Sequence, residues 1–175
     1  QPFFLHVGGN YWYKNKEGLL RIFGQITGLE GLRQFKLVLV GESLGPRLQI
    51  LVKAIGISSR LREVADVTNE QLCALYSSAE GLIFPSLAEG FGWPIIEAQA
   101  CGCPVFSSNR APMQDVGGSA AIYFDPLDEI GAAEIVWKAI QNKTILRAHG
   151  YQNASKYSTK DMISGYVDCY RLVMS

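Results

Sequence analysis

The 175-residue chain reads as an α/β domain in which helices cover both faces of a parallel sheet, and three observations predict it. Short apolar runs alternate with apolar stripes at helical spacing. Several runs are apolar at nearly every position, as strands buried on both faces require. Glycines follow three of the runs, at Gly8 and Gly9, at Gly41, and at Gly90 and Gly92, where strand gives way to helix.

The elements follow in order. Phe3 to Val7 is a strand ended by Gly8-Gly9-Asn10, and from Asn15 the residues Leu19, Leu20, Phe23 and Ile26 recur on one helical face. Lys36 to Val40 is a second strand, closed by Gly41, and Leu44, Leu48, Leu51, Val52 and Ile55 form the next amphipathic face. A short strand at Leu61 to Val64 precedes Thr68 and Gln71, whose spacing is that of a capping box before Leu72, Leu75, Tyr76 and Ala79. Gly81 to Pro85 is a buried strand and Glu89 to Gly92 a loop. Pro94 suits the first turn of a helix that Gly102 ends. Strands at Pro104 to Ser107 and Ala121 to Phe124 complete the sheet. The tail carries two helical stripes, one of Ile130, Ala133, Trp137 and Ile140, the other of Met162, Ile163, Tyr166, Val167 and Tyr170. The whole is expected to be one Rossmann-like domain over residues 1–175. In such a sheet ligands sit beyond the carboxyl ends of the strands.

Composition narrows the function. With 48% hydrophobic and 18% charged residues the chain has material for a core and lacks the signature of disorder. Sixteen basic residues balance sixteen acidic ones without long blocks, which argues against broad binding to nucleic acid or anionic lipid. No apolar run approaches the ~20 residues that span a bilayer. A cytoplasmic domain is expected, with peripheral membrane contact left open for the parent protein. The start at Gln1, strand-like by Phe3, reads as a piece of a longer protein. Cys101 and Cys103 are too close for an easy bridge, and Cys73 and Cys169 stand apart from any CxxC, so all four are expected to be reduced core residues.

The segment Phe84 to Ala98 joins a strand to a helix through Gly90, Phe91 and Gly92. Glycines let backbone N–H groups approach a ligand, and a helix start offers unpaired donors and a positive dipole end, so an anionic diphosphate fits there. Glu97, one turn into the helix, carries two acceptor oxygens suited to vicinal ribose hydroxyls, and Glu89 lies before the turn. The same residues also suit a sharp turn and a dipole-complementing pair. His6, inside an apolar strand, reads as structural. No DxD motif or metal-ligand spacing occurs, GxxxxGK[ST] is absent, and no GxGxxG follows the first strand.

Glu89 and Glu97, with seven residues between them around Gly90-Phe91-Gly92-Trp93-Pro94, resemble the EX7E element of retaining glycosyltransferases of family GT4. His6-Val7-Gly8-Gly9 through Lys14-Asn15, Val38 to Gly41, Ala100 to Val105 and Gly117 to Pro126 follow in that family's order, over nearly the whole chain. The resemblance implies the carboxyl-terminal, nucleotide-sugar-binding half of a GT-B enzyme. Such an enzyme transfers a hexose-type group with retention, in polysaccharide or glycoconjugate biosynthesis, and its amino-terminal acceptor domain lies outside this sequence. The half alone is expected to be inactive.

The resemblance assigns Lys14 and Glu89 to catalysis, Lys14 on the diphosphate and Glu89 beside the transferred sugar. It puts Gly8, Gly9, Asn10, Gly41, Gly90, Phe91, Gly92 and Glu97 around the donor, with Glu97 on the ribose. Val64, Ala65 and Leu72 are expected near the base. UDP or GDP is the expected nucleotide, and the nucleotide sugar is a substrate, so no cofactor is called for. Without a DxD or metal-ligand spacing, Lys14 and the amides are expected to neutralise the diphosphate with no metal. Where the family commonly carries an arginine before the lysine, this chain has Gly9 and Asn10, leaving Asn10, Lys16 or backbone amides as substitutes. Two other readings stay open, a noncatalytic nucleotide-sugar-binding or scaffolding domain and a GT-B-like epimerase.

Overall fold

The computed structural model describes residues 1–174. Strands β1 (Phe3–Val7), β2 (Lys36–Val40), β3 (Leu61–Val64), β4 (Gly81–Phe84), β5 (Val105–Ser108) and β6 (Ala121–Phe124) form one sheet. Their order is β3-β2-β1-β4-β5-β6, and every pairing is parallel. The expected Rossmann-like α/β fold is therefore the observed one.

Helices α1 (Lys16–Ile26), α2 (Pro46–Ala54), α3 (Asn69–Ser78), α4 (Trp93–Ala100), α5 (Met113–Gly117), α6 (Glu129–Ile140), α7 (Lys143–Ala154) and α8 (Thr159–Met174) follow the strands. Residues of alternating parity along each strand face opposite ways, so the sheet feeds two cores. Phe4, Leu37, Leu39, Ile83, Phe106 and Phe124 pack with Leu19, Leu20 and Phe23 of α1 and with Ala132, Ala133 and Val136 of α6. On the other face Leu5, Val38, Leu82, Phe84 and Val105 pack with Tyr76 of α3, Ile95 and Ala98 of α4, and Met113 and Val116 of α5. Each fully buried large apolar side chain contributes about 1.5 to 3 kcal/mol relative to exposure.

Local signals set the helix starts. Thr68 and Gln71 make both bonds of the capping box, Gln71 N–H to Thr68 Oγ1 at 3.2 Å and Thr68 N–H to Gln71 Oε1 at 2.9 Å. Asn15, left-handed at φ 52°, caps α1 by accepting from the Gly18 N–H. Pro94 occupies the first turn of α4.

The tail differs from expectation. The buried face of α6 is Ala132, Ala133, Val136 and Ile140, whereas Ile130 is exposed and Trp137 lies at the margin, its indole N–H donating to Glu30 O at 3.0 Å. Small alanines let α6 sit close against α1, so packing distance overrides bulk. Helix α7 has no counterpart among the expected elements. It lies against α4, where buried Asn153 donates to Gln99 Oε1 at 2.8 Å and Val116 O at 2.9 Å. The α8 stripe forms a helix, but Met162, Ile163, Tyr166, Val167 and Tyr170 are all exposed. Of the cysteines only Cys103 is buried; Cys73 and Cys169 are exposed and Cys101 intermediate, which corrects their reading as core residues. No helix of the described residues is long and apolar enough to cross a membrane.

Candidate functional site

The strand order reverses between β1 and β4. From β1 the chain continues toward β2 and β3 on one side, and from β4 toward β5 and β6 on the other. Loops leaving adjacent strands in opposite directions open a crevice at the carboxyl ends. The loop after β1 carries Lys14 at the end of a short 3-10 turn, Trp12–Lys14, and the loop after β4 carries Glu89.

These loops are tied together. Leu87 N–H donates to Tyr13 O at 2.7 Å. Asn15 Nδ2 donates to Pro85 O at 3.1 Å and Pro126 O at 3.3 Å, so one amide links the loops after β1, β4 and β6. Held in this way, the Lys14 ammonium donates to Glu89 Oε1 at 2.8 Å and Oε2 at 3.0 Å. The two side chains are only 13% and 8% exposed, which makes the pair stronger than a surface ion pair. The ammonium also lies 5.3 Å from the Phe84 ring centre. With three N–H donors and two engaged, Lys14 keeps one for another acceptor.

Gly8 and Gly41 sit beside this pair. Gly8 N–H donates to Val40 O at 3.0 Å, and a Cβ at Gly8 would lie 3.4 Å from Lys14 Cδ. Gly41 has φ 125°, and a Cβ there would stand 2.6 Å from Gly8 O, so no other residue lets the two loops approach so closely. Gly92 caps α4 at φ 101°, again a glycine conformation, while the space around Gly90 is open for at least 4 Å. The loop therefore needs Gly92 for its path and leaves room over Gly90. Phe91 lies tilted against Trp93, with ring centres 4.7 Å apart, and both border a groove of about 380 Å³ with Tyr157, Met162 and Tyr166.

Glu97 is not in direct contact with Lys14 or Glu89. Its Oε2 accepts from the Tyr76 hydroxyl of α3 at 3.0 Å. Burial, followed by the Glu97 charge, pushes the Tyr76 hydroxyl pKa far up, so it stays a donor. Asn10 and Lys16 are committed elsewhere. Asn10 N–H donates to Glu42 Oε2 and its amide to Ser43 O, while the Lys16 ammonium donates to Asn10 Oδ1 at 2.8 Å and Glu42 O at 3.0 Å. Lys16 is buried, and that burial lowers its pKa against the raising effect of Glu42. Val64 and Ala65 border an open groove of about 520 Å³ along α3; Leu72 is not among its lining and packs against the core. Among the described residues no cluster of three or more His, Cys, Asp and Glu is placed to hold a metal ion.

Several contributors escape sequence reasoning. Asn15 has a signal, a helix-cap residue that tolerates the left-handed region. Tyr76 gives none, because its role depends on which helix lies opposite. His6 is buried, its Nδ1–H donating to Ile83 O at 3.0 Å, and Nε2 is left without a partner. Burial lowers its pKa to about 4, so the ring is neutral at pH 7. The buried Ser86 hydroxyl, in the loop after β4, is likewise unpartnered.

Known proteins share the sequence pattern and the fold over most of the chain. The O-antigen chain mannosyltransferase B of Escherichia coli is 30% identical over 179 residues, covering 99% of this chain and 46% of that protein. The D-inositol 3-phosphate glycosyltransferase of Corynebacterium jeikeium (strain K411) is 30% identical over 163 residues, 87% of this chain and 39% of that protein. This chain thus spans less than half the length of either relative. The sucrose-phosphate synthase of Thermosynechococcus elongatus superposes with a TM-score of 0.86 at 25% identity, over 99% of this chain and 46% of that one. The pneumococcal O-GlcNAc transferase GtfA, solved in complex with UDP and GlcNAc, shares the fold with a TM-score of 0.82 at 16% identity, over 98% of this chain and 36% of its own. Residues 1–157 match the family described as glycosyl transferases group 1, and the chain belongs to that family.

Proposed function

We propose that this chain is the donor-binding half of a retaining, GT4-type glycosyltransferase, holding a nucleoside-diphosphate sugar for transfer of a hexose-type group to an acceptor bound by an amino-terminal domain. The observation that carries the reading is the Lys14–Glu89 pair, enclosed by two loops at the reversal point of the sheet and next to the glycine-lined start of α4. Breaking an anomeric bond sends an electron pair to the departing diphosphate and leaves positive character on the sugar. A cation and a carboxylate side by side meet both needs.

In this reading the remaining N–H of Lys14 and the amides around Gly90 to Gly92 take the diphosphate, while Glu89 orients the sugar and offsets its developing charge. Glu97, oriented by Tyr76, accepts from the ribose hydroxyls, and the base lies toward Val64 and Ala65. The diphosphate is neutralised without metal. In this reading Asn10 and Lys16 do not replace the family's arginine directly, since both are held on the Glu42–Ser43 turn and Lys16 is buried there. That commitment favours, as a second reading, a noncatalytic binding module.

Incubating the full-length parent with UDP- and GDP-sugars and an acceptor panel in the presence of chelator separates these readings. Transfer with the donor's anomeric configuration kept in the product is the expected result. An inverted product excludes retention, a bound donor that is neither transferred nor hydrolysed favours the module, and an epimerised sugar without acceptor points to an epimerase.

A further inference from the structure

Two thiols far apart in sequence meet between α3 and α4. The Cys101 thiol, at the C-cap of α4, points at Cys73 Sγ on α3 at 3.3 Å. Cys73 is exposed and Cys101 partly so, and neither is in a disulfide. Cys73 and Tyr76 are three residues apart on α3, and Glu97 and Cys101 four apart along α4, so each pair shares a helix face. The thiol contact and the Tyr76–Glu97 hydrogen bond are neighbouring rungs between the same two helices. A disulfide needs the sulfurs about 1.2 Å closer, within reach of side-chain rotation and a slight approach of the helices.

We propose that Cys73 and Cys101 are a thiol–disulfide couple, oxidised by a low-molecular-weight disulfide to an intramolecular bond that pins α3 to α4 beside Glu97. The exposed Cys73 thiolate attacks one sulfur of the oxidant, forming a mixed disulfide and expelling one thiolate. Cys101 then loses its proton to solvent and attacks Cys73 Sγ, expelling the second. Two electrons pass from the cysteine pair to the oxidant, and the two protons end on the two released thiols. Burial and then Cys73 itself raise the Cys101 thiol to about 12, so Cys73 is the attacking thiol and Cys101 the resolving one. Neither of the other two cysteines has a thiol neighbour of this kind among the described contacts. Cys103 is buried with its thiol on Pro104 O, and Cys169 sits on α8. Closing the bond draws α4 toward α3 and shifts Glu97 with it; the effect on donor affinity rests on the reading of Glu97 given above.

The test treats the 175-residue chain with oxidised glutathione, followed by peptide mass mapping, amide hydrogen exchange and calorimetry with UDP and GDP. The expected product is a Cys73–Cys101 link with loss of two hydrogens, reversed by dithiothreitol, formed equally by Cys169→Ser and lost in Cys73→Ser and Cys101→Ser. Exchange in α3 slows, and the oxidised chain binds nucleotide at least about fivefold more weakly than the reduced one. A stable glutathione adduct on Cys73, a link to Cys169, or exchange unchanged by oxidation overturns the couple. Equal affinities overturn its effect on Glu97. If the reduced chain binds neither nucleotide, the functional reading fails, while the mass and exchange results still decide the couple.

Discussion

The Lys14 ammonium and the Glu89 carboxylate, 75 residues apart in sequence, form a two-pronged ion pair at 2.8 and 3.0 Å across the point where the sheet reverses its strand order. Charge opposes charge inside the site before any ligand arrives, so a bound diphosphate competes with Glu89 for the same ammonium. The pair restrains the cation, and removing either partner leaves an enclosed charge uncompensated.

Replacing Glu89 with glutamine separates those effects. The variant loses about 2 kcal/mol of stability, because the enclosed Lys14 keeps only a neutral partner. Its affinity for UDP or GDP rises, since the competing carboxylate is gone. Thermal unfolding with parallel calorimetry checks both signs, and weaker binding of the bare nucleotide would place Glu89 on the diphosphate side of the site.

The assignment of Glu97 to the ribose is tested by comparing UDP with its 2′-deoxy analogue. The native chain discriminates between them by a charge-assisted hydrogen bond, about 1.5 to 3 kcal/mol. Glu97→Ala erases the difference. Tyr76→Phe, which removes the 3.0 Å bond orienting the carboxylate, reduces it in part. Undiminished discrimination in Glu97→Ala would move the ribose elsewhere.

Asn15→Ala destabilises the chain by about 2 kcal/mol, as the cap of α1 and the bonds to Pro85 O and Pro126 O are lost together and alanine resists φ 52°. Nucleotide affinity falls as well, because the loops bearing Lys14 and Glu89 lose their tie. Denaturant unfolding and calorimetry on the same variant measure the two effects.

Acid sensitivity has a named source in His6. Its folded pKa, about 4, lies below the ordinary 6.5, so between those values the unfolded chain binds the extra proton. The stability this neutral ring contributes is complete above pH 6.5 and is lost as pH falls toward 4, by about 3 kcal/mol in all. His6→Gln retains a donor for Ile83 O and loses less stability over that interval. Equal pH dependence in the two proteins would remove His6 as the cause.

The strands were legible because their apolar runs are short, separate and ended by glycines. Thr68 and Gln71 were legible because a capping box is local. Lys14, Glu89 and Glu97 could be named from a pattern along the chain, but Lys14–Glu89 and Tyr76–Glu97 are through-space pairings that no spacing encodes. The same holds for Cys73 and Cys101, which are 28 residues apart in sequence and meet only because α3 lies on α4. On α6 the large residues Ile130 and Trp137 suggested the wrong face, since burial there is set by how closely alanines approach α1. Helix α7 leaves no apolar stripe in the sequence because its contact with α4 uses Gly150 and Asn153.

Calorimetric titration of the 175-residue chain with UDP and GDP, chelator present, tests the donor cradle most directly. Saturable binding of at least one nucleotide, weakened about tenfold or more by Lys14→Ala and by Glu97→Ala, is the predicted result. Heat-silent titrations with both nucleotides, or binding that neither substitution alters, would contradict it.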